Sequence, residues 1–599
     1  MTTVPVPNLH DLAISRLADL RLGVFVPAQA VSRFLGDAAG RRKAASLLRA
    51  AGVTKVYLDV FRGYFPDEGT LQTARDMLRD LGFAVAGGIT TVAGKGCGKP
   101  SSHGAHWLCW SAPESQEVIA RAAALAGRLF DEVIVDDFLC TMCRCERCEG
   151  ERGDREWGRF YREQMVDLAR RLIIEPAKEA NPRATVIIKY PQWYDRFHRF
   201  GYDVREQPRQ FDLTWAGTET RDPEVEYVQP YQAHFNHRWL RALAGERMGG
   251  AWFDRINTSP QVFVQQAYQS VLAGAKELLL FDYRHEFFAP GAPHMAALLE
   301  HFERLCGLAR AVSRRSPIGV HAYKPPDSDG EDEAYIFDYL GMFGVPLLPC
   351  SEFPAAARSA FLATHAAHDP HLQSGLGRLL DAGAAVLASG GLLERLADAQ
   401  LLAAFGYAEH PTCECDRWAF RFRVGAAPHS GPGFVHFTRA LNPSTAEVLA
   451  SAVTADEVFP VLTACDAGGA SRLALSAHTM RYAPGSERVT VGEPVPFIHL
   501  ADGVVQALRA RLLKPLGIEL DMPSLIGFYP FVGGPLVFQS FSRRAAEVTL
   551  SLAARRWGKV AALVNVFTKE RLRPDASGAY KFTLAPQEVA PLRVTRARA

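Results

Sequence analysis

Eight short runs of β-branched and other apolar residues recur between residues 20 and 284, and each is followed by a helical pattern or a long connection. The runs are "LRLGVFVP" (20–27), "VTKVYLDV" (53–60), "GFAVAGGITTV" (82–92), "FDEVIVDDF" (130–138), "ATVIIKYP" (184–191), "FDLTWAG" (211–217), "GGAWFDRI" (249–256) and "ELLLFDYR" (277–284). This pattern predicts an α/β fold, a (β/α)8 TIM barrel over residues 1–315. A doubly wound open sheet is the competing arrangement, but eight regular units within about 290 residues favour closure.

The pattern changes after residue 315. Stretches such as "EDEAYIFDYLGMFGVPLLPCSEF" read as helix–strand pairs and predict a smaller α/β domain over residues 316–530. Strand-like alternation predicts a β insertion around 411–500 within it. The last segment, 531–599, reads as a small β-sandwich.

Composition restricts the class of protein. The chain is 48% hydrophobic and 22% charged with a formal net charge of +2, so nothing favours nucleic acid or an anionic membrane as a partner. No apolar stretch reaches the roughly 18 residues of a membrane span. The first residues lack the basic start and apolar core of a secretory signal, so we expect a cytoplasmic protein with reduced thiols.

A cysteine cluster follows the fourth run. "CTMCRCERC" places Cys140, Cys143, Cys145 and Cys148 within nine positions, a C-x2-C-x-C-x2-C spacing. Thiolates on a short loop suit the tetrahedral coordination of Zn²⁺, and the absence of His or carboxylate favours a structural metal. Either all four bind it, or Cys109 in the loop after the third strand completes the set, because these loops are neighbours in a barrel. Buried unliganded cysteines and a redox switch are the alternatives.

Four segments together resemble one known family. They are "VDDF" at a strand end, "CRCERC" at 143–148, "REWGRFYRE" after it and the upstream "CWSAP". The arrangement resembles glycoside hydrolase family 42, the β-galactosidases. There an Asn-Glu pair ends strand four, a Cys-x-Cys-x-x-Cys stretch precedes a helix with Phe-Arg-x-Trp, and an upstream cysteine completes a zinc site. That family continues into an amidotransferase-like α/β domain and a small β domain.

The resemblance implies a structural zinc, no organic cofactor, and an amidotransferase-like domain through which the chain could form a homo-oligomer. Its zinc ligands would be Cys109, Cys143, Cys145 and Cys148, with Cys140 as the alternative. Asp136-Asp137 stands where the family has Asn-Glu, so the resemblance implies Asp137 as acid/base. Asp254 in "AWFD" stands where the family has its nucleophilic Glu. The family's substrate specificity is not carried over.

Barrel enzymes place reactive groups at the carboxyl ends of strands, and here those ends are rich in acids and aromatic rings. Such rings stack on sugar faces while paired carboxylates attack and protonate the glycosidic bond. The predicted catalytic set is Asp137, Asp254, Glu219 in reserve, and Asp136. The predicted substrate contacts are Asp59, Arg62, Lys189, Tyr190, Trp193, Tyr194, Trp215, Tyr231 and Asp282.

The predicted function is therefore a glycoside hydrolase acting on a carbohydrate. Carboxyl groups about 5–5.5 Å apart would mean retention and about 6.5–9.5 Å inversion, and the sequence leaves both open. Strand alternation does not choose between Asp136 and Asp137 for the position facing the cleft. In enzymes of the α-galactosidase type an Asp on strand four is the nucleophile, and Glu219 or Asp254 would then supply the proton.

Three other functions remain open at this stage. The acids could bind a divalent ion in a metal-dependent hydrolase or lyase, although the strand ends lack the histidines usual there. The barrel could be an inactive carbohydrate-binding protein. The middle domain could use Cys350 as an amidotransferase nucleophile, although "LLPCSEF" lacks a Gly-x-Cys-x-Gly turn.

Overall fold

The computed structural model describes residues 8–104, 106–136, 138–223, 229–288, 291–425, 430–483 and 492–596. The chain divides into two compact units. The first is Met1–Glu226 with Asn236–Ser313, and the second is Tyr227–Phe235 with Arg314–Ala599. Among the described helices, none has both the length and the apolar composition that a membrane crossing requires.

The first unit contains a closed barrel of eight parallel strands, which confirms the predicted fold. The strands are β1 (Arg21–Val26), β2 (Lys55–Arg62), β3 (Ala84–Thr90), β4 (Glu132–Val135), β5 (Thr185–Tyr190), β6 (Leu213–Gly217), β7 (Met248–Asp254) and β8 (Glu277–Phe281). β8 pairs with β1 from Arg21↔Glu277 to Phe25↔Phe281, which closes the sheet. Each strand coincides with one of the eight predicted runs.

Helices connect the barrel strands. They are α1 (His10–Ser15), α2 (Ala28–Leu35), α3 (Ala38–Ala50), α4 (Glu68–Asp80), α5 (Pro113–Leu129), α6 (Glu146–Arg152), α7 (Trp157–Ala169), α8 (Glu175–Ala180), α9 (Phe197–Phe200), α10 (Gln207–Gln210), α11 (Gln232–Ala244), α12 (Pro260–Ala273), α13 (Tyr283–Phe287) and α14 (Ala292–Val312). Side-chain caps stabilise the first turns of several of these helices. At α4, Asp67 accepts a 2.7 Å hydrogen bond from the Thr70 amide.

The barrel interior is packed at its amino-terminal end. Lys55 Nζ lies 2.6 Å from Glu132 Oε1 and 3.2 Å from Glu277 Oε2, and the Tyr57 hydroxyl donates to both acids at 2.9 Å. Above this polar layer lies a buried apolar cluster that includes Phe25, Tyr57, Ile134, Ile187, Trp215, Trp252 and Leu279. A Cβ at Gly250 would lie 2.5 Å from the Trp215 ring, which explains the glycine there. The barrel is therefore a packed core, and space for a ligand exists at its carboxyl end.

A nine-stranded sheet forms the core of the second unit. Its strands are β9 (Val320–Tyr323), β10 (Leu347–Cys350), β11 (Ser359–Leu362), β12 (Ala385–Ser389), β13 (Tyr407–Val424), β14 (Ser430–Pro443), β15 (Glu447–Val453), β16 (Val458–Ala467) and β17 (Ala470–Leu475), in the order β10-β9-β11-β12-β17-β16-β15-β13-β14. The first five in that order are parallel. The predicted β insertion therefore extends this sheet in antiparallel fashion, because β17 returns to pair with β12.

The helices of the second unit are α15 (Ile336–Met342), α16 (Leu372–Asp381), α17 (Gly390–Leu393), α18 (Ala399–Ala404), α19 (Asp502–Leu512) and α20 (Ala554–Trp557). Small strands β18 (Met480–Arg481) and β19 (Glu493–Pro494) pair with each other.

Two antiparallel sheets follow, which the sequence predicts as a terminal β-sandwich. Their strands are β20 (Ile518–Asp521), β21 (Ile526–Pro530), β22 (Pro535–Ser540), β23 (Ala546–Leu552), β24 (Val560–Asn565), β25 (Arg571–Leu572), β26 (Tyr580–Leu584) and β27 (Val589–Arg596), in the orders β20-β23-β26 and β21-β22-β27-β24-β25. Phe538 of one sheet and Phe582 of the other pack at 5.2 Å between ring centroids. β20 and β21 precede residue 531, and the boundaries at 315 and 530 stay predictions.

A fully buried carboxylate connects the loops at the carboxyl edge of the parallel strands in the second unit. Glu333 accepts hydrogen bonds from the Thr364 amide (2.9 Å) and hydroxyl (2.7 Å), the Ser389 hydroxyl (2.6 Å) and the Gly391 amide (2.9 Å). Arg439 Nη1 lies 3.5 Å from Oε1, the oxygen that also accepts from the Gly391 amide. These donors follow β11 and β12, so one side chain joins the loops after three strands.

We expect Glu333→Ala to lower the free energy of unfolding by about 3 kcal/mol, because several buried donors and Arg439 would lose their acceptor. Denaturant unfolding of the full chain measures this, with the exposed Glu352→Ala as control, expected within about 0.5 kcal/mol of wild type. Equal effects of the two variants would contradict the role given to Glu333.

Candidate active site

The ends of β2, β3 and β4 share one hydrogen-bond network. The Thr90 hydroxyl lies 3.2 Å from both Asp59 Oδ2 and Asp136 Oδ2. Arg62 Nη1 donates to Thr90 at 3.0 Å and to Asp136 at 3.3 Å. The Ala28 amide donates to Asp59 at 3.3 Å. Two predicted site acids and the predicted substrate contact Arg62 are therefore brought together.

Asp59 is fully buried within this network. Burial raises its pKa to about 7, while Arg62 and the hydrogen bonds from Ala28 and Thr90 act in the opposite direction. A carboxyl group with such a pKa exchanges its proton near neutral pH, as residues at catalytic sites often do.

A second network joins the ends of β5, β6 and β7. Lys189 Nζ lies 2.5 Å from Glu219 Oε1 and 5.0 Å from the Trp252 ring centroid. Arg221 donates two hydrogen bonds to Asp254, from Nη1 to Oδ1 at 2.6 Å and from Nη2 to Oδ2 at 3.2 Å. Burial raises the pKa of Asp254, and the Arg221 charge opposes this. Each predicted acid here is thus buried beside a cation.

The end of β8 adds two acids. Asp282 caps α13 by accepting a 2.8 Å hydrogen bond from the His285 amide, and its other oxygen lies 3.1 Å from His285 Nδ1. Glu286, one turn further along, is fully buried. Its pKa is raised well above the usual range by burial and then by the Asp254 charge. Sequence reasoning missed Glu286; its signal was an acid one helical turn past a barrel strand.

A cleft of about 450 Å³ opens at this end of the barrel. Its described lining comes from the ends of β1, β2, β3, β4 and β8: Pro27, Gln29, Ala30, Arg62, Val92, Ala93, His106, Phe138, Phe281, Asp282, Arg284 and His285. Of the predicted site residues, Arg62 and Asp282 belong to this lining. The leading catalytic candidate, Asp137, lies outside the described residues.

Two of the predicted aromatic contacts lie in packed regions of the first unit. Trp215 is buried in the barrel core and meets Tyr57 edge-on at 6.1 Å. Tyr190 packs against Phe197 and Tyr202, each at 5.4 Å. The structure does not bring Trp215 or Tyr190 to the cleft lining. The physical reason is strand geometry: Trp215 lies two residues below its strand end, and Tyr190 alternates with the inward-facing Lys189.

The other predicted rings differ in exposure. Trp193 is half-buried against Phe200 and Trp107, at 5.5 and 6.1 Å. Tyr194 is buried. Tyr231 belongs to the second unit, where it stacks on Tyr529 at 5.7 Å, and it is not among the described lining residues of the cleft. Trp193 is therefore the least buried of the predicted rings, and it is not among the described residues that line the cleft.

Four thiols form the candidate metal site. The Sγ atoms of Cys109, Cys143, Cys145 and Cys148 all lie within 4.8 Å of one another, and three of the pairs are 3.7 Å apart. Four sulfurs at 2.3 Å from a tetrahedral ion would be about 3.8 Å apart, so this cluster could hold a metal. The alternative ligand, Cys140, is not part of the cluster.

The cluster joins the loops after β3 and β4. Trp110 Nε1 donates to the Cys140 carbonyl at 2.9 Å, and the Tyr161 hydroxyl of α7 donates to the Cys143 carbonyl at 3.1 Å. Cys109, Cys143 and Cys148 are buried against Phe160 and Tyr161. The segment from Cys140 to Cys148 is therefore fixed to its neighbours at several points.

We expect Asp59 to make stability depend on pH. Its folded pKa of about 7 exceeds the ordinary value of 3.8, so the stability it contributes is fully present below about pH 4 and is lost as pH rises through about 7. Asp59→Asn removes this dependence; from pH 4 to 8, wild type should lose up to about 4 kcal/mol relative to the variant. Denaturant unfolding across that range measures it. Asp80→Asn, at an exposed acid of α4, should keep the wild-type profile, and parallel profiles for Asp59→Asn would contradict the assignment.

Known proteins resemble this chain in sequence and fold. Residues 9–293 match the family model described as probable glycosyl hydrolase, catalytic domain. An uncharacterized protein of Saccharolobus solfataricus is 22% identical over 337 residues, which cover 51% of this chain; the chain spans just over half, 56%, of that relative's length.

Two solved structures match over nearly the whole chain, each with a TM-score of 0.62. Gan42B, a GH42 β-galactosidase, is 11% identical and is matched over 96% of this chain and 98% of its own. α-L-Fucosidase isoenzyme 2 from Paenibacillus thiaminolyticus is 13% identical, with coverage of 97% and 100%. These likenesses concern the fold. The match of residues 9–293 to that family model supports the predicted enzyme class, a glycoside hydrolase with the barrel as its catalytic domain.

Proposed function

We propose that the enzyme cleaves an O-glycosidic bond with two carboxylates at the barrel mouth, Asp137 as acid/base and Asp254 as its partner. Glu219 stays in reserve, and Asp136 is a positioning residue. The proposal rests mainly on the two hydrogen bonds that Arg221 donates to the Asp254 carboxylate at the end of β7. A carboxylate that attacks an anomeric carbon or activates water has to be charged and held in one orientation.

The environment of Asp254 fixes its orientation, and Arg221 opposes the rise in pKa that burial causes. Two parallel charge-assisted hydrogen bonds from Arg221 favour the ionised form and fix the carboxylate plane. The Ile256 amide donates to Oδ1 at 2.7 Å, and Gln266 holds the Asp254 carbonyl at 3.0 Å. Oxygen Oδ2, with its single longer contact to Arg221, is the atom we assign to the reaction.

Asp136 directly follows β4 and is held by groups of the neighbouring strand ends. Its amide donates to the Ile89 carbonyl at 2.9 Å, and its carboxylate accepts from Thr90 and Arg62. These contacts hold the strand end from which Asp137 continues. In the alternative assignment an aspartate of this pair is the nucleophile, and Glu219 or Asp254 supplies the proton.

We also propose that the four-thiol cluster holds a structural zinc ion. Four soft ligands without His or carboxylate match a closed tetrahedral site rather than a catalytic one. The ion would cross-link the loops after β3 and β4 close to Asp136. Cytoplasmic location and oligomerisation through the second unit stay predictions.

The four-thiol cluster predicts how much zinc the purified protein contains. Wild-type protein purified without chelators should hold about one zinc ion per chain. Each of the variants Cys109→Ser, Cys143→Ser, Cys145→Ser and Cys148→Ser should lower both the zinc content and the melting temperature. Elemental analysis measures the former. Cys140→Ser is the matched control, a neighbouring buried thiol outside the cluster, and should keep the zinc. Zinc loss in Cys140→Ser but not in Cys145→Ser would overturn the assignment.

The catalytic assignment predicts that Asp254→Asn and Asp137→Asn each lower kcat at least about a hundredfold. A panel of nitrophenyl glycosides of both anomers first identifies a substrate, and Asp80→Asn serves as the matched control. In a retaining enzyme, azide should restore turnover of Asp254→Ala by replacing the missing nucleophile. Full activity of both Asn variants would refute the pair.

The same assays separate the other functions. Loss of activity with EDTA that added metal restores would favour the metal-dependent barrel. Sugar binding without turnover would favour an inactive binding protein. For Cys350, burial raises the thiol pKa to about 12, which keeps it protonated and argues against an amidotransferase nucleophile.

A further inference from the structure

The charges that line the cleft favour an anion. Among its described lining residues, Arg62 and Arg284 carry positive charge, His106 and His285 offer ring nitrogens, and Asp282 is the acid. A neutral sugar needs hydroxyl-binding donors and acceptors in similar number, whereas this lining is rich in donors.

Among the described lining residues, the acid Asp282 is already engaged by its own helix. Its side chain is 3% exposed, and it accepts from the His285 amide at 2.8 Å and lies 3.1 Å from His285 Nδ1. Its carboxylate therefore has hydrogen-bond partners before a ligand enters. Behind Arg62, the Asp136 carboxylate is likewise shared between Thr90 and Arg62.

Arg62 retains donors for a ligand. Within the described residues, Nη1 alone of its three side-chain nitrogens donates a hydrogen bond, to Thr90 and Asp136. Its guanidinium lies 4.9 Å from the Phe281 ring centroid, and its side chain is 19% exposed. The Arg62 guanidinium is planar, and Phe281 and Asp136 hold it in place. Such a group can donate two parallel hydrogen bonds to a carboxylate or a sulfate.

Arg284 provides the second cation. It is exposed at the start of α13, on the lining of the same cleft, and its guanidinium contacts the His285 ring. β2 and α13 thus present one arginine each to a cleft whose volume suits a small glycoside.

We propose that the sugar bound in this cleft carries an anionic group, a carboxylate or a sulfate ester, which Arg62 and Arg284 bind. The proposal rests on the proposed function for the site and names its substrate class. Uronic acids and sulfated sugars share this chemistry, and separate arms of the test distinguish them.

Binding tests the proposal without requiring turnover. Wild-type protein is titrated calorimetrically with glucuronate, galacturonate and glucose 6-sulfate, each against glucose or galactose. We expect at least one anionic sugar to bind about tenfold tighter than its neutral partner, and less tightly in high salt. The tighter class identifies the source of the anion. Neutral sugars that bind as well as all anionic ones would overturn the proposal.

A variant then tests the assigned residue. Arg284→Gln should lower the ratio of kcat/KM for the anionic glycoside over its neutral partner about tenfold, and Arg42→Gln, at an exposed arginine of α3, should leave that ratio unchanged. An equal effect of Arg284→Gln on both substrates would contradict the proposal. Selective anion binding with no turnover of any glycoside would refute the catalytic proposal alone, whereas turnover that prefers neutral sugars would refute this one alone.

Discussion

Burial of carboxylates beside compensating groups is the constraint on which the functional end of the barrel depends. An ionised acid removed from water is tolerated when a cation or several hydrogen-bond donors replace the lost solvation. The structure meets this requirement strand by strand: Arg62 beside Asp136, Lys189 beside Glu219, and Arg221 beside Asp254. Removing any one cation would leave a buried charge, so these pairs set both the geometry and the protonation of the site.

The same principle divides the acids by role. Burial raises the pKa of Asp254, Asp59 and Glu286 alike, and Asp254 differs in the two hydrogen bonds from Arg221 that oppose this effect. Glycoside hydrolysis uses one group that stays charged and another that gives up a proton. The bidentate arginine favours Asp254 for the first of these roles, which is the role proposed for it.

Much of this could be predicted from the sequence because its signals are periodic or local. Eight apolar runs predicted the closed barrel. The cysteine spacing predicted a thiol cluster with two possible sets of members, and the resemblance to family 42 implied the set with Cys109 that the structure brings together. The side-chain pairing across strands could not be predicted in this way. Arg221 and Thr90 acquire their importance from neighbours that the barrel brings near them.

The sequence also did not reveal how deep each side chain lies within the barrel. Trp215 looked like a sugar platform because it stands near a strand end, yet its ring fills the core beside Gly250. A strand rises about 3.3 Å per residue, so a side chain two residues before the strand end lies well below the barrel mouth. It therefore packs in the core and does not reach a ligand. Tyr231 illustrates another limit, because the chain places it in the second unit.

The proposed function requires a sugar ring to bind at the carboxyl end of the barrel against Asp254, the last residue of β7. A crystal structure of Asp254→Asn with its best glycoside bound would show where the ring lies. We expect the ring in the cleft, with its anomeric carbon facing residue 254 and its acidic substituent on Arg62. A ring bound elsewhere, or one out of reach of both residue 254 and the pair at 136–137, would rule this binding mode out.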